Sequence, residues 1–475
     1  MNFCLSLLSA FFLIGIFPRF NLTWLAPVAL TPLLIACARE SSWKRRALCG
    51  WAAGFVFWFG VCYWIQFVLA VHGGLDVWLS WVTFFLFALL KGLHMALFSL
   101  LAGFVMKKWW AIPGVAALWT GIERTHGPLG FAWLDLGNAG IDMHLAMRLA
   151  PYTGVYGLSL VFAMLGCAVA VVIVRGPRAE LAWVLLLIVV PLFPSLRTPA
   201  APAESVRVIQ PNIDTEMEWT VKALSDEEDH LAALSRSPGN SLIVWPEAPA
   251  PFYPSNPDFR EFVAHVARDS KAYLLFGGVG HTSDGAPLNS AFLVKPSGAI
   301  DGQYDKIKLV PFGEFVPPPF GWVNRISKEA GDFAPGDRIV IFPANGHRLG
   351  AFICYESAFP DLVRAFAGDG AELLVNLSND GYFGRSAARE QHLSLVRMRA
   401  AENRRWVLRA TNDGITAMID PVGRVTERLE PYHELASEMR FNYVGDVTPY
   451  TRHGDWFAWE CLVLGLGIAA LGART

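Results

Sequence analysis

Apolar runs fill residues 1–200 almost without interruption, broken only by short basic stretches, and return at 456–472. Between them, 201–455 carries the mixed apolar and polar pattern of a globular domain. The runs predict eight spans, roughly Asn2–Pro18, Thr23–Ala38, Leu48–Val71, Val77–Met106, Trp109–Gly121, Val155–Val174, Glu180–Leu196 and Trp456–Gly472. Several are shorter than the ~20 residues that cross a bilayer comfortably. The first lacks a basic leading region and a clear small-residue cleavage site, and more spans follow at once, so it reads as retained rather than as a cleaved signal.

Within the globular part, apolar β-rich runs recur at 206–213 (VRVIQPNI), 241–248 (SLIVWPEA), 272–280 (AYLLFGGVG), 290–298 (SAFLVKPSG), 348–357 (RLGAFICYES) and 371–380 (AELLVNLSND). Strands apolar throughout are buried on both faces. Two stretches have helical spacing: Phe259, Phe262, Val263 and Val266 in one, Leu393, Val396, Ala400 and Ala401 in the other. Layered helices and sheet follow, an α/β domain. The organisation read from this is a membrane bundle of about seven spans at 1–196, a Pro/Ala linker at 197–205, a globular α/β domain at 206–445, and a linker with a last span at 446–475.

Charge adds orientation. Only 17% of the 475 residues are charged and the net charge is −2, which gives no argument for nucleic-acid binding. Basic residues mark alternate loops: Arg39 with Lys44–Arg46, then Lys107 and Lys108, then Arg175 and Arg178. Such loops face the cytoplasm. The globular domain then emerges on the opposite side, and both termini are cytoplasmic. Six of the seven cysteines lie in or beside apolar spans; Cys354 alone belongs to the globular domain. A lone cysteine facing an oxidising compartment is either inert and buried or a reactive thiol.

Three charged or nucleophilic groups flank buried runs. Glu247 follows Leu242–Trp245, Lys306 precedes an apolar run that Glu314 closes, and Cys354 ends another. Singly, each reads equally well as a surface acid, a solvated lysine or a core cysteine. Together they supply a base, a cation and a nucleophile, the parts of acyl transfer, and strand ends are where α/β folds build sites. There is no P-loop and no HExxH motif; neither a metal nor a cofactor is expected, and the glycines of 277–280 are too weak a signal for nucleotide binding.

The stretches WPEAP, YDKIKLVPFGE and CYES, in that order, resemble the Glu–Lys–Cys triad of the nitrilase superfamily. With QPNIDTEMEW, SNDGYFG, TPYTRHGDW and the membrane-half segment GFAWLDLG, the chain is most similar to the superfamily's membrane branch, the apolipoprotein N-acyltransferases. That resemblance implies an extracytoplasmic αββα sandwich on an eight-helix bundle in the bacterial inner membrane, acting as a monomer. It implies transfer of an acyl chain from the sn-1 position of a phospholipid to the free α-amine of a diacylglyceryl-cysteine on an apolipoprotein. Cys354 matches the nucleophile, Glu247 the base and Lys306 the oxyanion stabiliser. Glu314 and Glu356 match further site carboxylates, and Tyr355 and Trp219 match aromatic positions tied to substrate. Lys308, two residues on, competes with Lys306 for the lysine role where the family often has histidine.

The stretch 316–326 reads as a lid, with Trp322 as a substrate contact, or as an ordinary loop packing its aromatics inward. Lys91 and His94 share a helix face mid-span, unexplained by the resemblance; a phospholipid phosphate is one partner for so deep a lysine. Two other readings remain at this level: a tethered amidase whose acceptor is water, and a transporter with a non-catalytic outer domain. Seven leading spans are excessive for a tether, and a transporter needs no Cys354.

Overall fold

The computed structural model describes residues 1–129, 131–214, 217–236, 239–247, 250–311, 313–315 and 333–474. The chain divides into two compact units: Met1–Phe67 with Asp76–Leu196 and His453–Thr475, and Val68–Leu75 with Arg197–Arg452. The expected lid and Trp322 fall outside the described residues.

In the first unit, the helices Val77–Val105, Val155–Arg175 and Trp456–Arg474 are long and apolar enough to cross a membrane among the described residues. A fourth candidate is the pair Trp43–Val61 and Trp64–His72, bent by 59°. The single span expected at Leu48–Val71 therefore starts earlier and breaks, because Cys62 leaves helical geometry at φ −104° and ψ 24°. The segment expected at Glu180–Leu196 is instead a 3₁₀ helix, Ala179–Leu192, containing Pro191. Hydropathy carries no information on which helix type a run adopts.

Close packing in this unit rests on small residues, as expected where lipid offers no hydrophobic drive between helices. A Cβ on Gly54 would meet Gly92 Cα at 2.8 Å, and one on Gly121 would meet Leu462 Cα at 2.4 Å. Arg124 forms a buried ion pair with Asp455 and lies 5.1 Å from the centre of the Trp459 ring. The stretch after Gly130, non-helical to Asp135 and then a short 3₁₀ helix, Leu136–Gly140, is held by side chains from the longer helices. Lys91 Nζ donates to Phe131 O (2.9 Å), Leu136 N to Glu123 Oε1 (2.7 Å), and Gly137 N to Ser159 Oγ (2.8 Å). Irregular backbone away from water needs such internal partners. Lys91 thus has protein partners at this depth: its ammonium holds a backbone carbonyl and sits 4.8 Å from the Trp58 ring centre. His94 packs on His126, ring centres 4.3 Å apart.

The second unit contains two six-stranded sheets. The first is built from β1 (Glu204–Gln210), β2 (Leu242–Val244), β3 (Tyr273–His281), β4 (Pro287–Val294), β5 (Ile300–Asp305) and β12 (Leu435–Phe441), in the order β12-β1-β2-β3-β4-β5. The second takes β6 (Ile341–Ala344), β7 (His347–Ile353), β8 (Leu373–Ser378), β9 (Trp406–Thr411), β10 (Ala417–Ile419) and β11 (Val425–Arg428), in the order β11-β10-β9-β8-β7-β6. Each sheet has a parallel centre (β1-β2-β3 and β7-β8-β9) and antiparallel edges. The sheets face each other through β1 and β9 and through β4 and β7. The helices Val221–Ser235 and Pro257–Ser270 pack on the first, Pro360–Gly368 and Ala388–Asn403 on the second. The layers are therefore helix, sheet, sheet, helix.

Every residue of β2, β8 and β9 is buried, which is why these strands read as unbroken apolar runs. Pro257 opens its helix, where its missing N–H costs nothing, and Asn256 caps it by accepting from Asp258 N. Asn442 ties down the end of the Pro/Ala stretch, accepting from Ala203 N and donating to the Ala200 and Ala201 carbonyls.

Candidate active site

The carboxyl ends of β2, β5, β7 and β8 lead into Glu247, Lys306, Cys354 and Asn379 respectively. The ends of parallel strands are where α/β folds leave a crevice. Trp245 locks the turn before Glu247, fully buried and donating from Nε1 to Ser235 Oγ at 2.9 Å. Lys306 is fixed through its own backbone, its N–H to Asn289 O and its carbonyl to Gly336 N, both 2.8 Å. Gly336 is obligatory there, since a Cβ would meet Asp305 O at 2.1 Å.

Lys306, 1% exposed, sits between two carboxylates. Its Nζ lies 2.8 Å from Glu314 Oε1 and 3.2 Å from Glu247 Oε1. Asn289 Nδ2 spans the same two oxygens, 2.6 Å to Glu314 and 2.8 Å to Glu247. The second oxygens accept from backbone: Asn379 N to Glu247 at 2.9 Å, Val310 N to Glu314 at 2.7 Å. Burial alone would lower the Lys306 pKa, but Glu247 and Glu314 more than reverse this and hold it well above the ordinary lysine value. Among the described residues its ammonium uses two of three hydrogens on the carboxylates, and the third meets no acceptor there.

Cys354 is 7% exposed and belongs to the same electrostatic group. Burial, then the Glu247 charge, raise its thiol pKa; Lys306 and a hydrogen bond with Ser378 pull it back only in part. The resting group is thus a neutral thiol. Its backbone is left-handed, φ 50°.

The remaining sequence-derived residues separate. Glu314 joins Glu247 and Lys306. Glu356, fully buried, turns away to brace backbone: Oε1 accepts from Tyr304 Oη, Ile307 N and Lys308 N at 2.7, 2.7 and 3.2 Å, and Oε2 from Ile353 N at 2.7 Å. Burial raises its pKa against those donors. Lys308 Nζ lies 5.4 Å from the Phe359 ring centre, so the amine facing the carboxylates is that of Lys306. Tyr355 is buried edge-on against Phe359. Trp219 packs half-buried against the core around Trp245 and Phe276.

Sequence reasoning missed Asn289, Tyr304, Tyr382 and His392. Asn289 left one signal, a polar side chain within a strand otherwise buried on both faces. Tyr382 keeps 43% of its surface exposed, yet burial of its hydroxyl and the charges of Glu247 and Glu314 push its pKa up to about 12. The His72 ring packs against it, centres 4.3 Å apart.

A family model for the apolipoprotein N-acyltransferase N-terminal domain matches residues 9–168, and one for carbon-nitrogen hydrolase matches 205–445. An apolipoprotein N-acyltransferase of Geobacter metallireducens is 34% identical, covering 100% of this chain and 95% of that one. Another, of Nitrosomonas europaea, is 32% identical with coverage of 100% and 98%. Among solved structures, an amidase from Nesterenkonia sp. aligns with a TM-score of 0.39 at 18% identity, covering 54% of this chain and 94% of that one.

Proposed function

The chain belongs to the apolipoprotein N-acyltransferase family, and from that premise we propose that Cys354 carries the acyl group between a phospholipid donor and a lipoprotein amine. The protein is an acyltransferase of the bacterial inner membrane that N-acylates lipoproteins. The observation that carries the residue assignment is the contact of one buried ammonium, Lys306, with two carboxylates beside a buried thiol.

In the first half-reaction, Glu247 takes the thiol proton as Sγ attacks the sn-1 ester carbonyl carbon. The third N–H of Lys306 stabilises the oxyanion. The ester C–O bond breaks, the glycerol oxygen leaves with the proton from Glu247, and a thioester remains. In the second, the α-amine of the diacylglyceryl-cysteine attacks that carbonyl and gives its proton to Glu247. The C–S bond breaks and the proton returns to sulfur. Glu247 is favoured over Glu314 as base because its charge is the stronger influence on Cys354. Glu314 then offsets the lysine charge while Glu247 is protonated.

The proposed arrangement keeps eight spans, with 206–445 working outside the cytoplasm. The alternating basic loops support the orientation. The short seventh segment, Ala179–Leu192, supports the count, since the ~2.0 Å rise of a 3₁₀ helix extends it further than an α-helix would. Incubating the purified protein with phospholipid tests the chemistry. One acyl chain should appear on the peptide containing Cys354, leave with neutral hydroxylamine, and discharge onto a diacylated lipopeptide. N-acylation by Cys354→Ala at the wild-type rate overturns the covalent route.

A further inference from the structure

We propose that His392 is a positioning residue that holds the Cys354 backbone in its left-handed conformation by donating from Nε2 to the Cys354 carbonyl. The inference rests on the reading of Cys354 as nucleophile. At φ 50°, Cys354 occupies a region that residues with a side chain rarely adopt, so its surroundings must impose the conformation. Two bonds bracket it. Glu356 Oε2 accepts from the preceding amide, Ile353 N, at 2.7 Å. His392 Nε2 lies 3.0 Å from the Cys354 carbonyl oxygen.

The imidazole is itself fixed. His392 lies on Ala388–Asn403, fully buried, with Phe383 edge-on at 5.7 Å. Its Nδ1 is 3.2 Å from Arg409 Nη2 and 3.2 Å from Asp380 Oδ1. Arg409 Nη2 also donates to both Asp380 oxygens, at 2.7 and 2.6 Å, and Nη1 donates to Asn376 Oδ1 at 2.6 Å. Ser378 Oγ donates to Asp380 Oδ1 at 3.1 Å. Gly414 closes the back of the cluster: a Cβ there would meet Asp380 Oδ2 at 2.2 Å. A carbonyl oxygen only accepts, so the Nε2 that faces the Cys354 carbonyl carries a hydrogen. Burial and the Arg409 charge lower the His392 pKa, while Asp380 and the Cys354 carbonyl act against them.

A chain of buried bonds therefore runs from β9 and β8 through the helix to the residue after β7. It holds a carbonyl and touches no substrate. Its effect is on where Sγ points, so it acts on turnover rather than on donor binding.

The test uses the full-length protein in detergent. His392→Leu removes the donor, and His392→Gln places an amide N–H at similar reach. With phospholipid donor and diacylated lipopeptide acceptor, His392→Leu is expected to lower kcat by at least about tenfold with KM unchanged, the effect of one lost buried donor. His392→Gln should recover most of kcat, and iodoacetamide alkylation of Cys354 at fixed pH should fall and recover in parallel. Wild-type kcat in a folded Leu variant overturns the inference. If the Leu variant does not fold, Gln decides alone: a variant with the wild-type unfolding midpoint but kcat as low as tenfold down also overturns it. Cys354→Ala, run alongside, separates this outcome from failure of the nucleophile assignment, because activity in that variant sinks the assignment whatever His392 does.

Discussion

Asn289 donates to Glu247 Oε1 at 2.8 Å from the same amide nitrogen that reaches Glu314. One neutral donor thus helps hold two carboxylates around one ammonium. Hydrogen bonds to charged groups contribute about 1.5–3 kcal/mol each. Asn289→Leu is therefore expected to cut kcat by roughly ten- to a hundredfold, leaving donor KM within about threefold. Asn289→Asp should be worse, because it adds a third negative charge beside Glu247 and Glu314. An Asp variant more active than Leu would mean that the amide is not acting on the carboxylates. Steady-state kinetics on both variants checks this.

Asp380 predicts an acid limb in stability. Burial opposes its ionisation, but Arg409 and His392 outweigh that and depress its folded pKa. A depressed carboxyl contributes stability that is present above its unfolded value of ~3.9 and is lost as pH falls through the acid range. Asp380→Asn should lower the unfolding midpoint at neutral pH, since breaking a buried pair costs about 3–5 kcal/mol. It should also flatten the decline below the unfolded carboxyl value. Unfolding midpoints followed from neutral to acid pH, with an equal acid decline in the variant as the contrary result, decide it.

The two predictions concern residues of unequal legibility. Glu247 and Cys354 follow buried apolar strands, so the end of an apolar run marks each of them, whereas Lys306 follows the polar, mostly half-buried β5 and is marked only by the apolar run after it. Asn289 sits inside a buried strand, and nothing local says which carboxylates it will meet. The helix Ala388–Asn403 was expected to present one apolar face; it is buried nearly all round, so His392, Arg399 and Glu402 are interior groups, Arg399 and Glu402 pairing with each other and His392 meeting Asp380, Arg409 and the Cys354 carbonyl from elsewhere in the chain. The pairing of β12 with β1 joins residues at opposite ends of the domain, a closure no short window contains. In the membrane half, hydropathy locates apolar runs, but not the break at Cys62 or the 3₁₀ winding of Ala179–Leu192.

Lys91 yields a prediction that separates structure from substrate. Its Nζ donates to the Phe131 carbonyl, so Lys91→Met removes one tie on the 131–136 stretch. A bond of this kind among membrane helices is worth roughly 0.6–2 kcal/mol. The unfolding midpoint should fall modestly while donor KM is unchanged. If KM for phospholipid rises and the midpoint stays, the ammonium serves a lipid phosphate instead.

Two charges act on the Cys354 thiol in opposite directions. Burial, then Glu247, raise the thiol pKa, whereas Lys306 lowers it. Iodoacetamide alkylation of the wild-type protein should therefore climb with pH past the ~8.5 of a free thiol without levelling there. Glu247→Gln removes the charge that opposes the thiolate, so the thiol pKa falls and alkylation at fixed pH speeds up. A shift of one pH unit is about tenfold in thiolate at pH values below the pKa. Turnover should nonetheless be lost, because the amide cannot accept the thiol proton. Lys306→Met removes the charge that favours the thiolate, so alkylation should slow, and turnover is lost with it. Opposite changes in thiol reactivity with the same loss of acylation are what a base and an electrostatic stabiliser predict. If Glu247→Gln instead slows alkylation and keeps measurable acyl-enzyme formation, proton transfer runs through another carboxylate, and Glu314, which shares Asn289 and Lys306 with it, is the first to test.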